Sequence, residues 1–124
     1  MTQEEKDLIL KDLCARLPYG VKFLRESWNY EWDQEMSVIE VLEDIDKDGY
    51  INNTKVYKVE DVKPFLFPLS SMTEEQKSIL SLCNAFIEPR SIELKLNFYN
   101  EQHIDYRGLI KKGLAIDATN LNIY

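Results

Sequence analysis

Two stretches decide the fold: Val21-Lys22-Phe23-Leu24-Arg25-Glu26-Ser27-Trp28 and Met36-Ser37-Val38-Ile39-Glu40-Val41-Leu42-Glu43-Asp44-Ile45. Both are rich in β-branched and aromatic residues and alternate roughly between apolar and polar, the period of strands with one buried face. Asn29-Tyr30-Glu31 predicts a hairpin connection between them. Lys47-Asp48-Gly49 predicts a second tight turn, because Asp-Gly supplies the positive φ angles that such a turn needs. Tyr50-Ile51 continues as a strand, Asn52-Asn53-Thr54 turns again, and Lys55-Val56-Tyr57-Lys58-Val59 returns. The expected product is a small antiparallel β-meander or partly open barrel over about residues 20–60.

Outside this region the period lengthens. Ile9, Leu13 and Leu17 recur with Leu10 and Cys14 beside them, which predicts a helix over 3–17. Thr2 suits its cap, Glu4, Glu5 and Asp7 suit the positive end of its dipole, and Pro18-Tyr19-Gly20 stops it. Pro64-Phe65-Leu66-Phe67-Pro68-Leu69 reads as an apolar connector packed under the sheet, with an exposed docking patch as the alternative. Residues 73–87 predict a helix with capping boxes in two registers, Ser71 with Glu74 and Thr73 with Gln76. Ile79, Leu80, Cys83, Phe86 and Ile87 form its apolar face, and Pro89 ends it. Ile92, Leu96 and Tyr99 favour a helix over 91–102, although IELKLNF also alternates like a strand. Asp105 can cap a further short helix over Tyr106-Arg107-Gly108-Leu109-Ile110, with Gly113 as its stop. The predicted class is α+β: an N-terminal helix, the meander, then two or three C-terminal helices, in one compact domain over 1–124.

A chain of 124 residues with 44% hydrophobic residues can bury a core of its own. Its net charge of −7 lies in the first half: residues 1–61 hold 15 acids and 8 bases, whereas residues 62–124 hold 7 of each. Between Glu26 and Asp48, nine acids face Lys47 alone. That field repels phosphate backbones and disfavours nucleic-acid binding by this half; it suits solubility, a cation or a basic protein partner. The N-terminus is acidic and amphipathic rather than basic and apolar, and no apolar run reaches the ~20 residues of a membrane span. The expectation is a cytoplasmic protein with two reduced thiols, Cys14 and Cys83, both placed in apolar helical stripes. Two cysteines and one histidine do not compose a zinc site.

The blocks LCARLPYGVK (13–22), VKPFLFPLSSMTEEQK (62–77) and HIDYRGLIKKGLAIDA (103–118) cover roughly a third of the chain. In these blocks it resembles a group of short uncharacterised proteins of gut anaerobic bacteria and their phages and mobile elements. The resemblance implies an accessory-genome origin and a shared helical scaffold around a variable sheet. It implies no activity, and no functional residue carries over.

Three chemistries compete. The first is a cation loop: Asp44-Ile-Asp46-Lys-Asp48-Gly49-Tyr50-Ile51 follows the front of an EF-hand loop, with Asp44, Asp46 and Asp48 as oxygen ligands and Tyr50 offering its carbonyl to calcium. Lys55 stands where the bidentate Glu belongs, and the flanks read as strands rather than helices. The second is a small enzyme using His103, the sole histidine, near Asp105, Tyr106 and Arg107; no nucleophile-elbow, phosphate-loop or metalloprotease pattern accompanies it. The third is a protein-interaction or regulatory module. Trp28, Tyr30 and Trp32 lie among Glu26, Glu31, Asp33 and Glu35, and aromatics amid acids can form a recognition patch. Packing of Trp28 and Trp32 on the core face of one strand competes with that patch. The third reading is preferred, with Trp28, Tyr30, Glu31, Trp32 and Asp33 as candidate binding residues, another protein as partner and no cofactor.

Overall fold

The computed structural model describes residues 1–29 and 31–124; the side chains of residues 27–29 and 35 lie outside that description. The chain folds as an α+β domain. Helix α1 spans Gln3–Arg16 and starts at the expected cap: the Thr2 hydroxyl accepts from the Glu5 amide, and the Glu5 carboxylate accepts from the Thr2 amide. Gly20, at φ 69°, turns the chain into β1, Lys22–Asn29, which pairs antiparallel along its length with β2, Gln34–Val41. Two short strands follow, β3 (Ile51–Asn52) and β4 (Val56–Tyr57), which form a separate hairpin. Ile45 bridges Ile51, and the Lys47-Asp48-Gly49 turn closes as predicted, with Gly49 at φ 84°. A Cβ on Gly49 would meet the Cδ2 of Leu10 of α1 at 3.1 Å, a contact at the tip of a flexible side chain, so it is the backbone angle that calls for glycine.

The stretch read as a connector is a strand. β5, Val62–Pro68, pairs antiparallel with β1 and parallel with two two-residue strands from the C-terminal part, β6 (Ile104–Asp105) and β7 (Ile116–Asp117). The main sheet is therefore mixed, ordered β2-β1-β5-β6 with β7 also on β5, and it does not close into a barrel. Proline inside a strand costs a ladder bond only where its nitrogen faces a neighbour. Here the Leu42 amide donates to the Val21 carbonyl at 2.9 Å, and the register then makes Phe23 with Glu40 a hydrogen-bonded pair. The opposite side of Phe23, where Pro64 lies, is consequently non-bonded, and the missing N–H breaks nothing.

Two further helices follow: α2, Glu74–Cys83, capped by the Thr73 and Gln76 box, and α3, Arg90–Glu101. The helical reading of 91–102 holds. The short helix expected after Asp105 does not form. Instead the Asp105 carboxylate accepts from the amides of Leu109 and Ile110, both at 2.9 Å, and the turn ends at Gly113 with the Leu114 amide reaching back to the Leu109 carbonyl. No helix of the described residues is long and apolar enough to cross a membrane.

The core forms where α1 and the β3–β4 hairpin cover one face of the sheet. Ile9 and Leu13 of α1, Val21, Phe23, Ile51, Val62, Leu66 and Leu109 are all essentially inaccessible; each such side chain contributes about 1.5–3 kcal/mol of burial. Cys14 falls on the other side of α1 and is exposed, contrary to the packed position expected for it; Cys83 is half-buried.

One buried polar network ties α1 to the C-terminal half. Arg16 and Asp12 are both fully buried and joined at 2.9 Å. Arg16 also donates to the carbonyls of Ile104 (2.6 Å) and Tyr99 (3.3 Å), while the second Asp12 oxygen accepts from Arg107 at 2.8 Å. The Tyr106 ring lies beside both guanidinium groups and stacks on Tyr99 at 5.3 Å. Removing Asp12 would leave two cations without their shared anion. Asp12→Ala is therefore expected to cost about 3–5 kcal/mol, read as a lower urea midpoint at unchanged m-value; a wild-type midpoint would contradict this role.

Candidate functional site

The sequence singled out three places, and the fold separates them. The β1–β2 hairpin tip carries the first. Trp28 has its backbone in β1 opposite Glu35, but its side chain, like the whole of Tyr30, lies outside the described residues. Trp32 sits in the connecting turn rather than on the core face of a strand, because the hairpin reverses before it, and it is 62% exposed. Glu31 and Asp33 are exposed beside it, with Asp33 at φ 48°. The tip thus presents an aromatic ring between acids at the far end of the sheet.

β2 continues this surface. It stands at the end of the strand order, and its outer face exposes Ile39 (49%) and Val41 (45%). On the opposite face Glu40 receives bonds from Arg25, from the Tyr57 hydroxyl at 2.9 Å and from Asn53 at 3.4 Å. Burial alone would raise the Glu40 carboxyl, but these donors outweigh it and hold it below the usual carboxylate range. An open groove of about 560 Å³ runs nearby, lined by Arg25, Glu26, Tyr57, Asp61 and Lys63 among others. Its charges are mixed in sign, and it gathers neither His103 nor a cysteine.

The aspartate loop is built as a turn. Asp46 Oδ1 accepts from the amides of Asp48 (2.9 Å) and Tyr50 (3.0 Å), and the Tyr50 carbonyl, the expected ligand, accepts from the Asp46 amide at 2.9 Å. Asp44 and Asp48 are exposed, and among the described residues no three acidic, histidine or cysteine side chains converge on a point that could hold a metal. The flanks are β-structure, not helices. Calorimetric titration of EDTA-stripped protein with calcium is accordingly expected to show no saturable heat; saturable heat abolished by Asp46→Ala would overturn that expectation.

The third place surrounds His103, which adopts φ 58° between α3 and β6. Its ring stacks on Tyr124 at 3.9 Å, and its carbonyl accepts from the Phe67 amide at 2.8 Å. Asp105 serves the turn amides and Arg107 serves Asp12, so neither is an orienting partner for the imidazole. The buried Nδ1 has no hydrogen-bond partner among the described residues. Tyr124 is itself clasped: its hydroxyl donates to the Phe65 carbonyl at 2.7 Å and accepts from the Lys22 amide at 2.9 Å, while Lys22 Nζ donates to the Ile123 carbonyl at 2.6 Å. Burial pushes the Tyr124 phenol up to about 12. The last residues of the chain, which show no period in sequence, thus strap the open side of β1 and β5.

Burial, followed by the charges of Arg16 and Lys22, lowers the His103 pKa to about 4. In the unfolded chain a histidine protonates near 6.5. Stability is then full above pH 6.5 and declines toward pH 4, because the unfolded state takes up the proton first. Discounted for solvent at the partly exposed residue, the decline is on the order of 1–2 kcal/mol. Urea melts across this window should show that slope, and His103→Asn, which tolerates positive φ and does not titrate, should flatten it.

A surface that the sequence did not flag lies on the helices. The apolar face of α2 was expected to pack inward, but none of its residues is buried. Ile79 (41%), Leu82 (68%), Phe86 (52%) and Ile87 (87%) are exposed, as are Ile92 (47%) and Leu96 (39%) of α3. Helical periodicity shows that an apolar face exists but not what covers it.

No family model matches the chain, and neither a curated protein nor a solved structure does.

Proposed function

We propose that this chain is a protein-interaction module, adaptor or regulatory rather than enzymatic, that takes a basic extended segment of another protein along β2. The observation that supports the reading is the open edge of β2. Among the described residues β2 pairs with β1 alone. The Leu42–Val21 bond sets the alternation, which directs the N–H and C=O of Ser37 and Ile39 away from β1. Proteins commonly blunt such an edge with lysine, proline or a bulge. Gln34-Glu35-Met36-Ser37-Val38-Ile39-Glu40-Val41 contains no lysine or proline, and its pairing with β1 runs without a bulge. An open edge of this length is a template for strand addition, in which main-chain bonds supply affinity and side chains supply selectivity.

Charge selects the partner. From Lys22 to Glu43 the hairpin carries Glu26, Glu31, Asp33, Glu35, Glu40 and Glu43 against Lys22 and Arg25. Glu40 is paired with Arg25, and the net negative charge of the hairpin, with exposed Trp32 at its tip, sets the field an incoming strand meets. A strand bearing lysine or arginine gains from that field and an acidic one is repelled.

The test uses synthetic ten-residue peptides of alternating valine and lysine, with valine–glutamate peptides as controls, followed by fluorescence polarisation. The lysine peptide is expected to bind with salt-sensitive affinity and to shift the amides of Ser37 and Ile39. Ser37→Lys and Ser37→Pro alter an exposed position whose N–H faces outward, and each should weaken binding at least tenfold, about 1.4 kcal/mol or more. Equal binding of both peptides, or unchanged binding by both variants, would sink the proposal.

A further inference from the structure

Phe23 turns into the core, so by alternation Lys22, Leu24 and Glu26 of β1 lie on the opposite, outer face of the sheet. Each stands directly opposite a residue of β2, and opposed residues share a face: Lys22 with Val41, Leu24 with Ile39, and Glu26 with Ser37. The hairpin thus offers three rows that run across both strands to the open edge. A strand added to that edge lays its own side chains on the same rows.

The rows differ in chemistry. At Val41 the edge is already taken: the Asn53 side-chain amide donates to the Val41 carbonyl at 2.7 Å, and its oxygen accepts from the Glu43 amide at 2.9 Å. The free ladder therefore begins at Ile39. That row is apolar, with Ile39 49% exposed and Leu24 half-buried behind it. The next row is acidic. Ser37 and Glu26 are both exposed, and none of the ion pairs among the described residues involves Glu26. Asp61 and Lys63, exposed in the groove beside Glu26, offset each other and leave the row its carboxylate.

We propose that these two rows select the sequence of the incoming strand: an apolar residue opposite Ile39, followed two positions later by a lysine or arginine opposite Ser37, whose cation meets Glu26. The proposal rests on strand addition at β2 and names the segment that fits there. Order follows from direction. Antiparallel pairing continues the β1–β2 pattern and is the more stable per residue, and it brings the residue opposite Ile39 before the one opposite Ser37. Reach follows from spacing. Strands lie ~4.8 Å apart, so the incoming cation and Glu26 start from backbones ~10 Å apart, which a long basic side chain and a glutamate span together. Ser37 between them is too short to stand in the way. Glu26 is in this sense a specificity residue, and Ile39 its apolar counterpart.

Two peptides of equal composition test the order by fluorescence polarisation. In one, two valines precede two lysines at alternate positions with threonine between them; in the other, the lysines come first. The valine-first peptide is expected to bind about fivefold more tightly. Glu26→Gln, at an exposed position, should remove that preference by weakening the valine-first peptide alone. Ile39→Thr, which keeps a β-branched side chain at the edge, should weaken it as well. Circular dichroism and the urea midpoint will show that both variants fold. Equal binding of the two peptides, tighter binding of the lysine-first peptide, or a preference that survives Glu26→Gln would overturn this inference while strand addition stands, provided the alternating valine–lysine peptide still binds. If no lysine peptide binds, both fail together.

Discussion

One buried carboxylate, Asp12, anchors the end of α3, β6 and the loop after it to α1. Asp12, about one turn from the end of α1, neutralises Arg16 within its own helix and Arg107 from a loop almost the whole chain away. Arg16 in turn spends its remaining donors on the carbonyls of Tyr99 and Ile104, at the end of α3 and in β6. A fully buried guanidinium is tolerable only when its charge is paired and its donors are satisfied. Those two carbonyls therefore have to stand where Arg16 can reach them, which positions the end of α3 and holds Ile104 beside β5. The packing of α1 on the sheet and the docking of the C-terminal half are in this sense one event.

The sheet itself is asymmetric. Its inner face is closed by α1 and the β3–β4 hairpin, and its β5 side is closed by β6, β7 and the strap ending in Tyr124. The β2 side receives no such cover from the described residues, and Val41 gives the one trace of closure there, where its carbonyl accepts from Asn53. The β1–β2 hairpin on this side carries Glu26, Glu31, Asp33, Glu35, Glu40 and Glu43 against Lys22 and Arg25. An acidic hairpin beside an open edge does two things at once: it deters pairing with another acidic copy of the same edge, and it favours a strand of opposite charge.

Much of the fold was legible in the chain. Thr2 as a cap and Thr73 with Gln76 as a capping box marked two helix starts, because a cap is satisfied within four residues. Asp-Gly marked the turn at 48–49 for the same local reason, and the alternation of 21–28 and 36–41 marked the first hairpin. Where the reading failed, the deciding interaction was distant. Pro64 and Pro68 disguised a central strand, since a proline is harmless on the non-bonded side and only the partner strand reveals which side that is. Asp105 looked like a helix cap and does cap amides, but the backbone after it closes a single turn rather than a helix.

Sequence by itself determined the α+β class, the local starts and stops of the helices, the hairpin turns and the uneven charge, all of which rest on residues within a few positions of one another. Tertiary structure alone decided that β5 is central, that Arg16 and Asp12 are buried together, that Trp32 is exposed, and that Ile79 and Leu82 of α2 stay exposed while Leu80 and Cys83 are half-buried. Each of these depends on which surfaces meet across long stretches of sequence, and periodicity records only that an apolar face is present. The candidate surfaces belong to the second group: an edge strand is an edge only by virtue of the neighbour it lacks.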